Sequence, residues 1–121
     1  MTMHKVDLSR PTQMPSISSR MDPVIKALKG SSVRLTVQVS GEPAPRVSWQ
    51  RDCVSVENYT QLSAHEDSNG ACHLDIEAVT EETEGKYTIT AANTAGRTTK
   101  SIQVQMIENL QVYEAYKKFE K

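Results

Sequence analysis

The chain reads as an all-β protein, an antiparallel sandwich of two sheets followed by a short C-terminal α-helix. Three observations predict this. Apolar and polar residues alternate in run after run, glycine- and proline-bearing turns separate the runs at short intervals, and the segment 108–121 switches to a helical period. The 121 residues leave room for one domain of ordinary size plus short tails. With one Trp, four Tyr and one Phe in the whole chain, the core must be built mainly from Val, Leu, Ile and Ala.

Residues 1–14 are polar, aperiodic and interrupted by Pro11, and read as a flexible N-terminal tail. Pro15 and Pro23 bracket Ser16 to Arg20, which suits an edge strand, because proline cannot donate to a central ladder. From Gly30 the alternation is strict. Val33, Leu35, Val37 and Val39 share one face, while Ser32, Arg34, Thr36 and Gln38 share the other. Gly41 to Pro45 ends that strand. Val47 and Trp49 then point inward on the next, and Tyr59 to Leu62 suits another short one. His65 to Gly70 carries Asn-Gly at its tip, a hairpin signal. Leu74 and Ile76 face in behind it, with His73, Asp75 and Glu77 out. Tyr87, Ile89 and Ala91 alternate after Gly85. Asn93 to Gly96 makes a second tight turn, and Ile102, Val104 and Met106 close the series of about seven strands. The main domain is thus expected over 15–107. Over 108–121 there is no Gly or Pro, and Leu110, Tyr113, Tyr116 and Phe119 recur about every three residues, with Glu114 and Lys118 in the favourable i, i+4 order. That segment is expected to be an amphipathic helix or inter-domain connector.

Composition excludes several function classes. A net charge of -1 does not support a broad nucleic-acid footprint. No apolar run approaches the ~18 residues of a membrane span, and Met1 to Asp7 lacks the apolar core of a secretory signal. Two cysteines are too few for a disulfide-stapled mini-protein. No catalytic signature surrounds either cysteine or any serine, and no glycine loop is built to cradle a phosphate, so neither an enzyme nor a cofactor is expected. His65, Glu66, Asp67 and Asp75 could gather ligands for a divalent ion, but a solvated acidic turn is the stronger reading, and no metal is expected. Glu81 to Glu84 reads as a solvated acidic loop. Asn58-Tyr59-Thr60 is a glycosylation triplet of a kind that chance often produces.

The run Leu35-x-Val37, then Gly41-Glu42-Pro43-x-Pro45-x-Val47-x-Trp49, then Leu74-x-Ile76, then Gly85-x-Tyr87-x-Ile89-x-Ala91-x-Asn93-x-x-Gly96 resembles the intermediate-set (I-set) immunoglobulin domain. The resemblance covers roughly residues 15–107 and implies an immunoglobulin-like sandwich. It makes Val37, Trp49, Leu74, Tyr87 and Ile89 the structural core. Trp49 fills the space between the sheets, and Tyr87 forms a tyrosine corner. Pro43 and Pro45 stiffen a turn, and Gly96 serves a hairpin. The family's inter-sheet cysteines fall at Val37 and Ile89, so that bridge cannot form. Cys53 stands where a turn glycine is usual, Cys72 begins the strand of Leu74, and the topology implies that these two lie too far apart to pair. Thr83 replaces a buried acid, so no acid–arginine pair is expected there.

Domains of this set without the bridge are similar to those of cytoplasmic muscle proteins such as titin, obscurin and myomesin, where reduced thiols make a bridge useless. The resemblance therefore implies a non-enzymatic, load-bearing and protein-binding module of the sarcomere or cytoskeleton, with a cytoplasmic location. Its partners would be other sarcomeric or cytoskeletal proteins and neighbouring immunoglobulin domains of the same chain, and not nucleic acid or membrane. A regulatory domain beside a cytoplasmic muscle kinase and an adhesion-receptor ectodomain are the alternatives. The candidate partner-binding residues are Leu110, Tyr113, Tyr116 and Phe119, with a free sheet edge as the other candidate surface.

Overall fold

The computed structural model describes residues 11–109, 114–115 and 117–118. Among these, nine strands form two sheets: β1 (Gln13–Ser18), β2 (Val24–Leu28), β3 (Val33–Glu42), β4 (Arg46–Arg51), β5 (Val54–Ser55), β6 (Leu62–Glu66), β7 (Ala71–Ile76), β8 (Gly85–Asn93) and β9 (Gly96–Ile107). One sheet has the order β1-β3-β7-β6, the other β2-β9-β8-β4-β5. The pairing is antiparallel except between β2 and β9, which run parallel from Val24↔Gln103 to Leu28↔Ile107.

Strict alternation places the core. Leu35, Val37 and Val39 of β3 and Leu74 and Ile76 of β7 face inward from the first sheet. Trp49 of β4, Tyr87, Ile89 and Ala91 of β8, and Ile102 and Val104 of β9 face them from the second. β3 and β8 approach one another across the sandwich, and Val37 and Ile89 are each only 1% exposed. Cys72 is likewise buried, opposite Val37 on the neighbouring strand.

Four local expectations need correction. The leading strand is two strands. β1 starts at Gln13, inside the segment read as tail, because the Asn93 side-chain amide donates to the Gln13 carbonyl at 2.8 Å and Met14 packs over Gly96. The chain then crosses to the other sheet, and β2 begins just after Pro23. The strand expected over 59–62 is instead β6, because Val56 to Asn58 forms a 3-10 turn, pinned by its buried Val56, and Tyr59 N–H closes it on the Val56 carbonyl. His65 and Glu66 belong to β6 rather than to the turn, which spans 67–70 and is closed by Gly70 N–H on the Asp67 carbonyl. Glu81 to Glu84 is an organised turn rather than merely a solvated loop: Thr83 is 0% exposed, donates to the Ala78 carbonyl at 2.7 Å and accepts the Thr80 N–H at 2.8 Å.

Candidate interaction surfaces

The expected core residues Val37, Trp49, Leu74, Tyr87 and Ile89 are all buried. Tyr87 donates its hydroxyl to the Thr83 carbonyl four residues upstream, and burial pushes its pKa up to about 12. With Thr83 in place of an acid, Arg51 turns to backbone oxygen. Its Nε donates to the Glu84 carbonyl at 2.8 Å, Nη1 to the Tyr59 hydroxyl at 3.1 Å and Nη2 to the Glu81 carbonyl at 3.4 Å. Its guanidinium also lies 5.5 Å from the Tyr59 ring centre, so one cation ties the 3-10 turn to the turn before β8.

Both cysteines are free, Cys53 exposed and Cys72 buried. They belong to different parts of the sandwich, the β4–β5 turn and β7. Cys53 sits at φ +72° after Asp52 at φ +46°, the left-handed geometry that explains why a glycine suits this turn. Burial raises the Cys72 thiol to about 11, helped by Glu66 and Asp67.

The outer face of the four-stranded sheet carries a polar cluster whose members the sequence showed only as turn residues and outward strand positions. Arg34 on β3 grips Asp75 on β7 with two bonds, Nε at 2.6 Å and Nη2 at 3.1 Å. His65 Nε2 lies 3.1 Å from the same carboxylate. His73 stands between Thr36 Oγ1 and Asp67 Oδ2, each 3.0 Å away, with the two imidazoles 5.1 Å apart. The Arg34 bond, reinforced by His65, holds Asp75 at about 2. The His73 bond lowers Asp67. Register explains the cluster: Thr36↔His73 and Arg34↔Asp75 on one side of β7, His65↔His73 on the other. Each carboxylate is already committed to a different histidine, and no group of three or more metal-ligating side chains is present among the described residues.

Leu110, Tyr113, Tyr116 and Phe119 lie outside the described residues. Glu114, Ala115, Lys117 and Lys118 have helical backbone, and Lys117 borders a shallow cleft formed by Arg20 to Lys26 at the start of β2. No helix among the described residues is long and apolar enough to cross a membrane.

The two-sheet order, the parallel β2–β9 pair, the tyrosine corner and the buried tryptophan define an immunoglobulin-like sandwich. The family model of the immunoglobulin I-set domain matches residues 15–106, and the chain belongs to that family. Titin of Drosophila melanogaster is 29% identical over 82 residues, 68% of this chain and a share of titin that rounds to 0%. Human myotilin is 39% identical over 75 residues, 61% of this chain and 15% of myotilin. The chain therefore spans only a small part of the curated relatives it matches. Among solved structures, the titin domains Z1Z2 in complex with telethonin align with a TM-score of 0.72 and 27% identity, covering 82% of this chain and 50% of that one.

Proposed function

We propose that this domain is a non-enzymatic, load-bearing and protein-docking module of a larger muscle or cytoskeletal protein, working in the cytoplasm beside sister immunoglobulin domains. The observation that carries the reading is the parallel β2–β9 ladder. β2 lies near the N-terminal end of the sandwich and β9 at its C-terminal end, and five residue pairs join them. Gln103 N–H bonds the Pro23 carbonyl and Lys29 N–H bonds the Ile107 carbonyl, both at 2.8 Å, at its two ends. Tension applied through the chain pulls the start of β2 and the end of β9 in opposite directions. In a parallel pair those points lie at opposite ends of the ladder, so the bonds are loaded together in shear.

The bridge-free core supports a reducing location, because two apolar residues occupy the positions a disulfide would take and both thiols are free. Docking is supported by the similar titin domains solved with a bound protein partner.

Two measurements test the reading. Pro23 and Lys29 bond β9, so by the two-residue alternation Ile25 and Ala27 face it too. Ile25→Pro removes one donor from the middle of the ladder and is expected to lower the unfolding force in single-molecule pulling; an unchanged force would overturn the shear account. Pull-down from muscle extract, comparing the full chain with one truncated after Ile107, tests the terminal segment. Equal partner recovery removes Leu110, Tyr113, Tyr116 and Phe119 from the docking account.

A further inference from the structure

Sheet edges are where a sandwich can add a strand from another chain, and most of the edges here are closed in some way. β5 is two residues long. The start of β2 has Lys117 beside it. Where β1 leaves β3, the Thr36 N–H is taken by Met21 Sδ at 3.1 Å and the Thr36 carbonyl by Ser19 Oγ at 3.4 Å.

The gap between β4 and β6 differs. At the two ends of the β6–β7 hairpin, Glu77 N–H bonds the Gln61 carbonyl and Asp67 N–H bonds the Ala71 carbonyl. The alternation of an antiparallel ladder therefore turns Ser63 and His65 toward β7 and leaves the N–H and C=O groups of Ala64 and Glu66 pointing away from it. On the facing sheet, Asp52 N–H bonds the Lys86 carbonyl. The same alternation aims Ser48 and Gln50 at β8 and turns the backbone of Val47 outward. β5 pairs only with Gln50 and Arg51, so it stops short of Val47. Among the described residues, two unpaired strand edges thus flank one cleft of about 270 Å³. Val47 and Trp49 line one wall and Leu62 and Ala64 the other. Glu57 and Glu66 stand in the lining, which among the described residues contains no lysine or arginine. Ala64 is the residue that keeps it open: it shares the inward face of β6 with buried Leu62, yet is itself exposed and too small to fill the gap.

We infer that this cleft is a docking site for a short extended segment of a partner protein, which adds as a strand along β6, places an apolar side chain between Val47 and Ala64, and carries lysine or arginine against Glu57 and Glu66. Main-chain bonds to Ala64 and Glu66 supply affinity, the pocket selects the apolar residue, and the two carboxylates select the sign of the flanking charge. The inference rests on the docking part of the proposed function and names its surface.

The test uses the full chain, labelled with ¹⁵N, and two blocked synthetic peptides, one alternating lysine with isoleucine and one alternating glutamate with isoleucine. The basic peptide is expected to shift the amide signals of Val47, Ala64 and Glu66, and the acidic one to leave them in place. Shifts centred elsewhere, equal responses to both peptides, or no response would overturn the site. Ala64→Pro deletes an outward N–H while sparing the bonds to β7, and is expected to weaken the basic peptide by about tenfold. Glu57→Lys with Glu66→Lys, a surface change that leaves the core intact, is expected to weaken it at least as much at low salt. Undiminished binding in the double variant overturns the inference even if Ala64→Pro fails to fold. Partner recovery from extract that is unaffected by the double variant would sink the cleft and leave the docking function standing. Loss of recovery for every form of the chain would sink the docking function itself.

Discussion

Tyr87, Asp75 and the two cysteines each test a separate piece of residue-scale physics. Tyr87→Phe keeps the ring in the core and leaves the Thr83 carbonyl without its donor. The expected loss is about 1–3 kcal/mol in urea unfolding, the cost of an unsatisfied buried group. Asp75 is held at about 2 in the folded state, against about 3.9 in an unfolded chain. Its contribution is complete above the unfolded value and disappears as pH falls through the folded one, so stability should decline between about pH 4 and 2. Asp75→Asn should flatten that decline; the effect should stay below about 1 kcal/mol, because solvent screens a pair this exposed. For the thiols, a disulfide-exchange reagent should label Cys53 in the native protein and reach Cys72 only on unfolding, since burial holds Cys72 at about 11. Most of these roles could be read from residue type and spacing: the alternation around Leu74 and Tyr87 and the corner signature were visible. The paired use of His65 and His73 was not, because it depends on which strands lie beside β7.

At the scale of elements, the turns carry the strain. Cys53 holds a left-handed conformation at φ +72°, which costs a side-chain-bearing residue roughly 1–2 kcal/mol. Cys53→Gly should therefore raise stability by up to about 1 kcal/mol, since glycine's added unfolded-state freedom offsets part of the relief. Gly70 shows the opposite case. It sits at φ +92°, and a Cβ there would meet the Val39 carbonyl oxygen at 2.5 Å. Gly70→Ala should destabilise the β6–β7 hairpin by more than about 1 kcal/mol, as read by the thermal midpoint. The hairpin itself was legible from Asn69-Gly70. Its ends were not, because residues 65 and 66 look like turn material until their pairing with His73 and Cys72 is known. β2 was missed for a related reason: Val24 to Leu28 shows weak alternation, and only its parallel pairing with β9 makes it a strand.

For the whole molecule, the unbridged core predicts cooperative unfolding with the same midpoint in the presence and absence of reductant. A large shift on adding reductant would contradict the free state of both thiols. Two apolar residues at the bridge positions contribute about 1.5–3 kcal/mol each when fully buried, comparable in size to the roughly 2–5 kcal/mol that removal of a native disulfide typically costs.

The order of apolar and polar residues by itself determined the fold class and the inward faces of the strands, because a period of two assigns each side chain to core or solvent whatever its neighbours are, while the family was marked by the spaced Gly, Pro, Trp, Tyr and Asn residues of its signature. Which strands became neighbours was decided only by the tertiary structure. Sheet order put Arg34, His65, His73 and Asp75 into one cluster, set β2 parallel to β9, and left an open cleft between β4 and β6. Those arrangements depend on contacts between residues far apart in the chain, and local periodicity carries no record of distance in space.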